Sequence, residues 1–237
     1  MGISRGKTIV TDGLVLALDA ANPKSYPGTG TEWGDLSDNG STTTLINGPA
    51  FNSDYNGGIY FDGSNDYATI SNLSADNWAV VPFTLDIWCS SFLQFYSLFE
   101  LAGSGGTNWG LQTYKTNNSS NLLYTYWISS YGNGGMACSS DLFSSPTTPI
   151  NITITFTGIG GTSQSTLYSN TFLKVNNQQT TKIFGGGAAI GTHSSLRLGG
   201  GNYKGRSTIS SVKMYNRVLS NDELTQNYNA TKGRFGL

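Results

Sequence analysis

Period-two alternation of apolar and polar residues, cut at short intervals by turn dipeptides, most constrains what this chain can fold into. In Ile150–Thr157, Ile150, Ile152, Ile154 and Phe156 share one face and Asn151, Thr153, Thr155 and Thr157 the other. Phe83–Ser90 repeats the pattern, with Phe83, Leu85, Ile87 and Cys89 inward and Thr84, Asp86, Trp88 and Ser90 outward. Leu122–Ile128 alternates too, and Leu14–Leu18 is apolar throughout, as in a strand buried on both faces. Successive side chains of a strand point to opposite faces, so this periodicity signals half-buried β-structure. Further strands are predicted at Gly58–Asp62, Asp66–Ile70, Phe95–Ala102, Trp109–Tyr114, Phe172–Val175, Thr180–Phe184, Leu196–Gly199 and Ile209–Tyr215. Asp12-Gly13, Asn39-Gly40, Asn47-Gly48, Asn56-Gly57, Asp62-Gly63 and Asn133-Gly134 separate them. Asn-Gly and Asp-Gly supply the positive φ that tight turns need. About a dozen short strands with such turns predict a two-sheet sandwich.

One helix breaks the pattern. Ser220-Asn221-Asp222-Glu223 is a capping box, Leu224 and Tyr228 follow at i, i+4, and Gly233 is the expected stop. Residues 1–11 read as an N-terminal arm and 12–237 as one domain. At 237 residues the chain is long enough to build a core without a metal or disulfide staple. Cys89 and Cys138 match no zinc or redox spacing and are expected as buried thiols.

The charge content excludes some functions. Charged residues are 11% of the chain, and 13 basic residues nearly balance 14 acidic ones. No basic stripe exists to neutralise phosphates, so no nucleic-acid partner is expected. No apolar run approaches the ~20 residues of a membrane span. Leu14–Leu18 is bracketed by Asp12 and Asp19 too closely to be the core of a signal peptide. So few charges favour close packing against partners or further copies of the chain.

Three stretches carry a resemblance. They are Asp12-Gly13-Leu14-Val15-Leu16-Ala17-Leu18-Asp19-Ala20-Ala21-Asn22-Pro23, Tyr60-Phe61-Asp62-Gly63-Ser64-Asn65-Asp66-Tyr67, and Val212-Lys213-Met214-Tyr215-Asn216-Arg217-Val218-Leu219-Ser220 running on through Asn227-Tyr228-Asn229-Ala230. Together they resemble the concanavalin A-like lectin/glucanase superfamily in its laminin G-like branch, of the type found in structural proteins of tailed bacteriophages. The resemblance implies an all-β jelly-roll sandwich of two antiparallel sheets with one short C-terminal helix. It also implies a place on the virion surface, as capsid decoration, capsid fibre or tail-associated protein, with other virion proteins as partners. A homo-oligomer and weak adhesion to a host-surface glycan fit that setting. The alternative is a soluble carbohydrate-binding module or lectin. Related domains often hold calcium beside an acidic residue just before the last strand, where this chain has Ser210 and Ser211, poor ligands for a hard cation.

Enzymatic chemistry finds little support in the residues. Glycoside hydrolysis needs two carboxylates across the scissile bond. Glutamate occurs only at Glu32, Glu100 and Glu223, and the sole conceivable pair is Asp86 with Glu100. His193, the single histidine, is expected in a solvated loop without triad or zinc partners. Gly185-Gly186-Gly187 and Gly199-Gly200-Gly201 are expected as turns or close backbone packing, since neither leads into a phosphate-binding Lys-Ser/Thr. The oxygen-rich Asp62, Asn65 and Asp66 could hold calcium, but a turn bonded to its own backbone is the expected reading. No cofactor is otherwise implied. Glycan binding needs aromatic platforms flanked by amides, and Trp109, Tyr114, Trp127, Tyr131 and Asn133 have that composition.

Overall fold

The structure is a computed structural model that describes residues 8–73, 78, 81–90, 98–103, 110–115, 122–129, 132–139, 148–158, 170–185, 193–200 and 206–237. The strands are β1 (Leu14–Asp19), β2 (Thr42–Ile46), β3 (Ala50–Asn52), β4 (Gly58–Asp62), β5 (Tyr67–Ser71), β6 (Phe83–Ser90), β7 (Phe99–Gly103) and β8 (Gly110–Lys115). They continue as β9 (Leu122–Ser129), β10 (Gly132–Ser139), β11 (Ile150–Phe156), β12 (Thr171–Val175), β13 (Gln178–Gln179), β14 (Thr181–Gly185), β15 (His193–Leu198) and β16 (Arg206–Tyr215). Helix α1 (Asn221–Thr231) follows, running into a 3-10 turn at Lys232–Phe235.

The fold is a sandwich of antiparallel sheets. One layer is an eight-stranded sheet in the order β13-β12-β11-β6-β16-β4-β3, with β1 also paired to β16. Facing it is the sheet β2-β5-β15-β7, and β7 runs on beside β8 of a further four-stranded sheet, β14-β10-β9-β8. The alternating apolar residues meet in rows. Ile87 lies between Ile152 and Val212, Leu85 lies between Ile154 and Met214, and the rings of Phe83 and Phe156 are 5.5 Å apart. Leu45, Ala68, Ile70, Leu196 and Leu198 close the same core from the opposite layer. The register of β16 against β6 shifts between Ile209 and Ser211. That bulge keeps Ile209 and Val212 both facing the core although they are three residues apart.

The expected outward face of β6 is not at the surface. Thr84, Asp86, Trp88 and Ser90 are all buried, as are Asn151, Thr153 and Thr155 of β11. The C-terminal segment covers much of this face, with the Trp88 ring stacked on Phe235 at 4.2 Å and on Tyr228 at 5.7 Å. The polar residues beneath it bond to each other and to backbone. Asn151 Nδ2 donates to Asp86 Oδ1 at 2.7 Å, and Thr84 Oγ1 donates to the Arg217 carbonyl at 2.9 Å.

The capping box forms as expected, with Ser220 Oγ accepting the Glu223 N–H and the Glu223 carboxylate accepting the Ser220 N–H. The stop falls later than Gly233. The helix tightens through Gly233 and ends at Gly236, whose φ of 75° is left-handed. Residues 8–11 are fastened to α1. The Val10 N–H donates to Asn227 Oδ1 at 2.8 Å, and Gln226 Nε2 donates to the Thr8 carbonyl at 2.8 Å.

Candidate functional site

The carboxylates that a glycosidase would need are not brought together. Asp86 lies on the helix-covered face of β6 and is 2% exposed. Glu100 lies on β7, in the opposite layer, and is 0% exposed with neither oxygen hydrogen-bonded. Burial pushes the Glu100 carboxyl above the usual range, and the Arg197 charge opposite it on β15 only partly offsets that. Among the described residues no three His, Cys, Asp or Glu side chains cluster as metal ligands would. His193 opens β15 opposite Gly103, so it lies on a strand and not in the expected loop.

Asp62, Asn65 and Asp66 form a self-bonded turn. Asp62 Oδ1 accepts the Ser64 N–H at 2.7 Å and the Asn65 N–H at 3.3 Å, and these bonds hold its carboxyl below the usual range. Asp66 Oδ2 accepts the Asp62 N–H at 3.1 Å, while burial raises the Asp66 carboxyl. Gly63 supplies the turn with a φ of 80°. The Asp62 oxygen that a cation would use is thus directed at backbone.

Of the aromatic set, Tyr114, Trp127 and Asn133 lie on β8, β9 and β10, while Trp109 and Tyr131 lie outside the described residues. Asn133 pairs with Ile128 and Tyr114 with Tyr124, whereas Trp127 pairs with Leu111 and Gly134.

A groove that the sequence reading did not single out lies on the large sheet. Its volume is about 360 Å3, and it runs between β11, β12, β13 and the start of α1. Thr153 and Thr155 of β11, with Thr157 just after it, line the groove. Phe172, opposite Thr155, is 40% exposed. Lys174 lies between Thr153 and Gln179 on the ladder, and partial burial draws its ammonium below the ordinary lysine range. Asn221 closes the helix side. An aromatic ring, an ammonium, two amides and several hydroxyls therefore share one trough. The ring can stack on the apolar face of a sugar while the polar groups bond its hydroxyls. Sequence reading could have found it from two adjacent alternations, Thr153-x-Thr155-x-Thr157 and Phe172-x-Lys174, once their antiparallel pairing is known.

No protein-family model matches the chain, and no curated protein does. Solved structures of similar shape exist. The botulinum neurotoxin serotype D binding domain superposes with a TM-score of 0.64 at 12% identity, covering 92% of this chain and 52% of that one. The binding domain of botulinum neurotoxin DC, solved in complex with rat synaptotagmin II, gives 0.64 at 13%, covering 93% and 52%. The same binding domain with SialylT gives 0.62 at 14%, again covering 93% and 52%. The chain spans about half the length of these binding domains. At such identities the likeness shows a shared β-sandwich fold.

Proposed function

We propose that the chain is a non-enzymatic recognition domain of the concanavalin A-like, laminin G-like type, carried on the surface of a tailed-bacteriophage particle. On this reading it decorates the capsid, forms a capsid fibre or belongs to the tail, in several copies, and binds a host-surface glycan. The groove of Phe172, Lys174, Gln179 and the β11 threonines carries the glycan reading. Its shape and its mixture of one ring with many hydrogen-bonding groups suit a neutral or acidic sugar. The separation of Asp86 and Glu100 into opposite layers supports binding without hydrolysis. The neighbour solved with SialylT is a binding domain about half of which this chain covers. The phage setting rests on the sequence resemblance and on the low charge, which suits dense packing among identical copies. Repetition on a particle also turns a weak single site into useful adhesion.

Peptide mass spectrometry of density-purified particles, with antibody-gold labelling of intact ones, tests the setting. Label on head or tail is the expected result. A protein absent from particles and free in solution would instead favour a soluble lectin using the same groove.

A further inference from the structure

A second cavity, separate from the groove and independent of the glycan reading, lies where β1, β16 and the end of α1 meet. Lys213 lines it, is 6% exposed, and has no hydrogen-bond partner for Nζ. On β6 it is opposite Asp86, whose Oδ1 accepts from Asn151 Nδ2 at 2.7 Å and which makes no hydrogen bond to Nζ. On β1 it is opposite Ala17, which offers no side-chain acceptor. Ser211, two residues earlier on β16, also lines the cavity, and its buried Oγ has no partner. Asp19, the one carboxylate in the lining, is already held by Arg234 Nη1 at 2.5 Å and the Ala21 N–H at 3.0 Å. The other walls are largely apolar, among them Ile9, Leu14 and Ala230, with Leu36 exposed at 40%.

A buried ammonium presents three donors and is costly unless acceptors meet it. One cation and one hydroxyl match the two oxygens of a carboxylate. A dianionic phosphate would bring a second buried charge without a second cation. The cavity holds about 320 Å3. At the ~30 Å3 of a water-sized group, that is room for about ten non-hydrogen atoms.

We propose that this cavity binds a small monocarboxylate with an apolar chain, its carboxylate on Lys213 Nζ and Ser211 Oγ and its chain along Ile9, Leu14 and Leu36. The test is a titration of the intact protein with carboxyl-labelled octanoate, followed by NMR and by the thermal midpoint, with octylamine in parallel. Saturable octanoate binding below about 1 mM, a raised midpoint and no response to octylamine are expected. Lys213→Met keeps the length and apolar stem, so the variant should fold with an unchanged or higher midpoint while losing at least about tenfold in affinity. Leu36→Trp, on an exposed lining residue, should also weaken binding and serves as the test if Lys213→Met does not fold. No saturable binding by the native chain would overturn the proposal, as would equal affinity in Lys213→Met or octylamine binding as well as octanoate.

Discussion

Asn227 joins two distant parts of the chain through one fully buried amide. Its Oδ1 accepts the Val10 N–H at 2.8 Å and its Nδ2 donates to the Tyr215 hydroxyl at 2.9 Å. That hydroxyl in turn donates to the Val10 carbonyl at 3.1 Å, a closed triangle in the interior. Burial pushes the Tyr215 phenol far above its ordinary range, so it remains a neutral donor. Asn227→Ala strands the buried Val10 N–H and removes the donor to the Tyr215 hydroxyl, and should cost about 2–3 kcal/mol in denaturant unfolding. Hydrogen exchange at Val10 should rise before that of β6. The Arg217 guanidinium and the Ser220 N–H hold the Glu223 carboxyl down at about 2. A depressed carboxylate stabilises the fold above its unfolded value of about 4.3, and that contribution is lost as pH falls toward 2. The stability gap between the native chain and Glu223→Gln should therefore shrink between about pH 4.5 and pH 2. A gap independent of pH would show that the Arg217 pair contributes nothing.

At the scale of elements, local chemistry made the strands of the core legible. Phe83–Ser90 and Gly58–Asp62 form with the predicted bounds, because strict alternation has one solution when one face must be buried. Asn47, Gly48, Asn56 and Gly57 adopt the positive φ read from their dipeptides. Three features were not legible. Thr42–Ile46 is polar enough to pass for loop, and becomes β2 because β5 offers it a paired edge. Asn133-Gly134 reads as a turn, yet lies within β10 because β9 pairs it, Asn133 opposite Ile128 and Gly134 opposite Trp127. The burial of Trp88 depends on α1, which lies more than a hundred residues away and which no local pattern connects to β6. Phe235→Ala removes the ring stacked on Trp88 and should cost about 3–4 kcal/mol, with a changed near-UV signal from tryptophan. Gly199 is held at a φ of 68°, and a Cβ there would overlap the Phe61 ring. Gly199→Ala should therefore destabilise by about 3 kcal/mol, the sum of strain and overpacking, as read by the thermal midpoint.

At the scale of the whole molecule, the two sheet faces have different tasks. The apolar faces make one core between the layers, as the alternation required. The outer face of the large sheet is covered by α1 and residues 8–11, which leaves a trough at the start of the helix and a cavity at its end. The glycan candidates read from the sequence, Trp109, Tyr114, Trp127, Tyr131 and Asn133, stand out because aromatic content is visible in one dimension. The Phe172 groove is assembled from three strands and a helix start, and its convergence exists only in the fold. On the proposed reading, this trough recognises sugar. A broad glycan array probed with the multivalent native chain and with Phe172→Ala tests it most directly, with Trp127→Ala as the comparison. Binding to a defined set of glycans, lost at least about tenfold in Phe172→Ala and retained in Trp127→Ala, is the predicted result. A flat array, or a response that Phe172→Ala leaves unchanged, would contradict it.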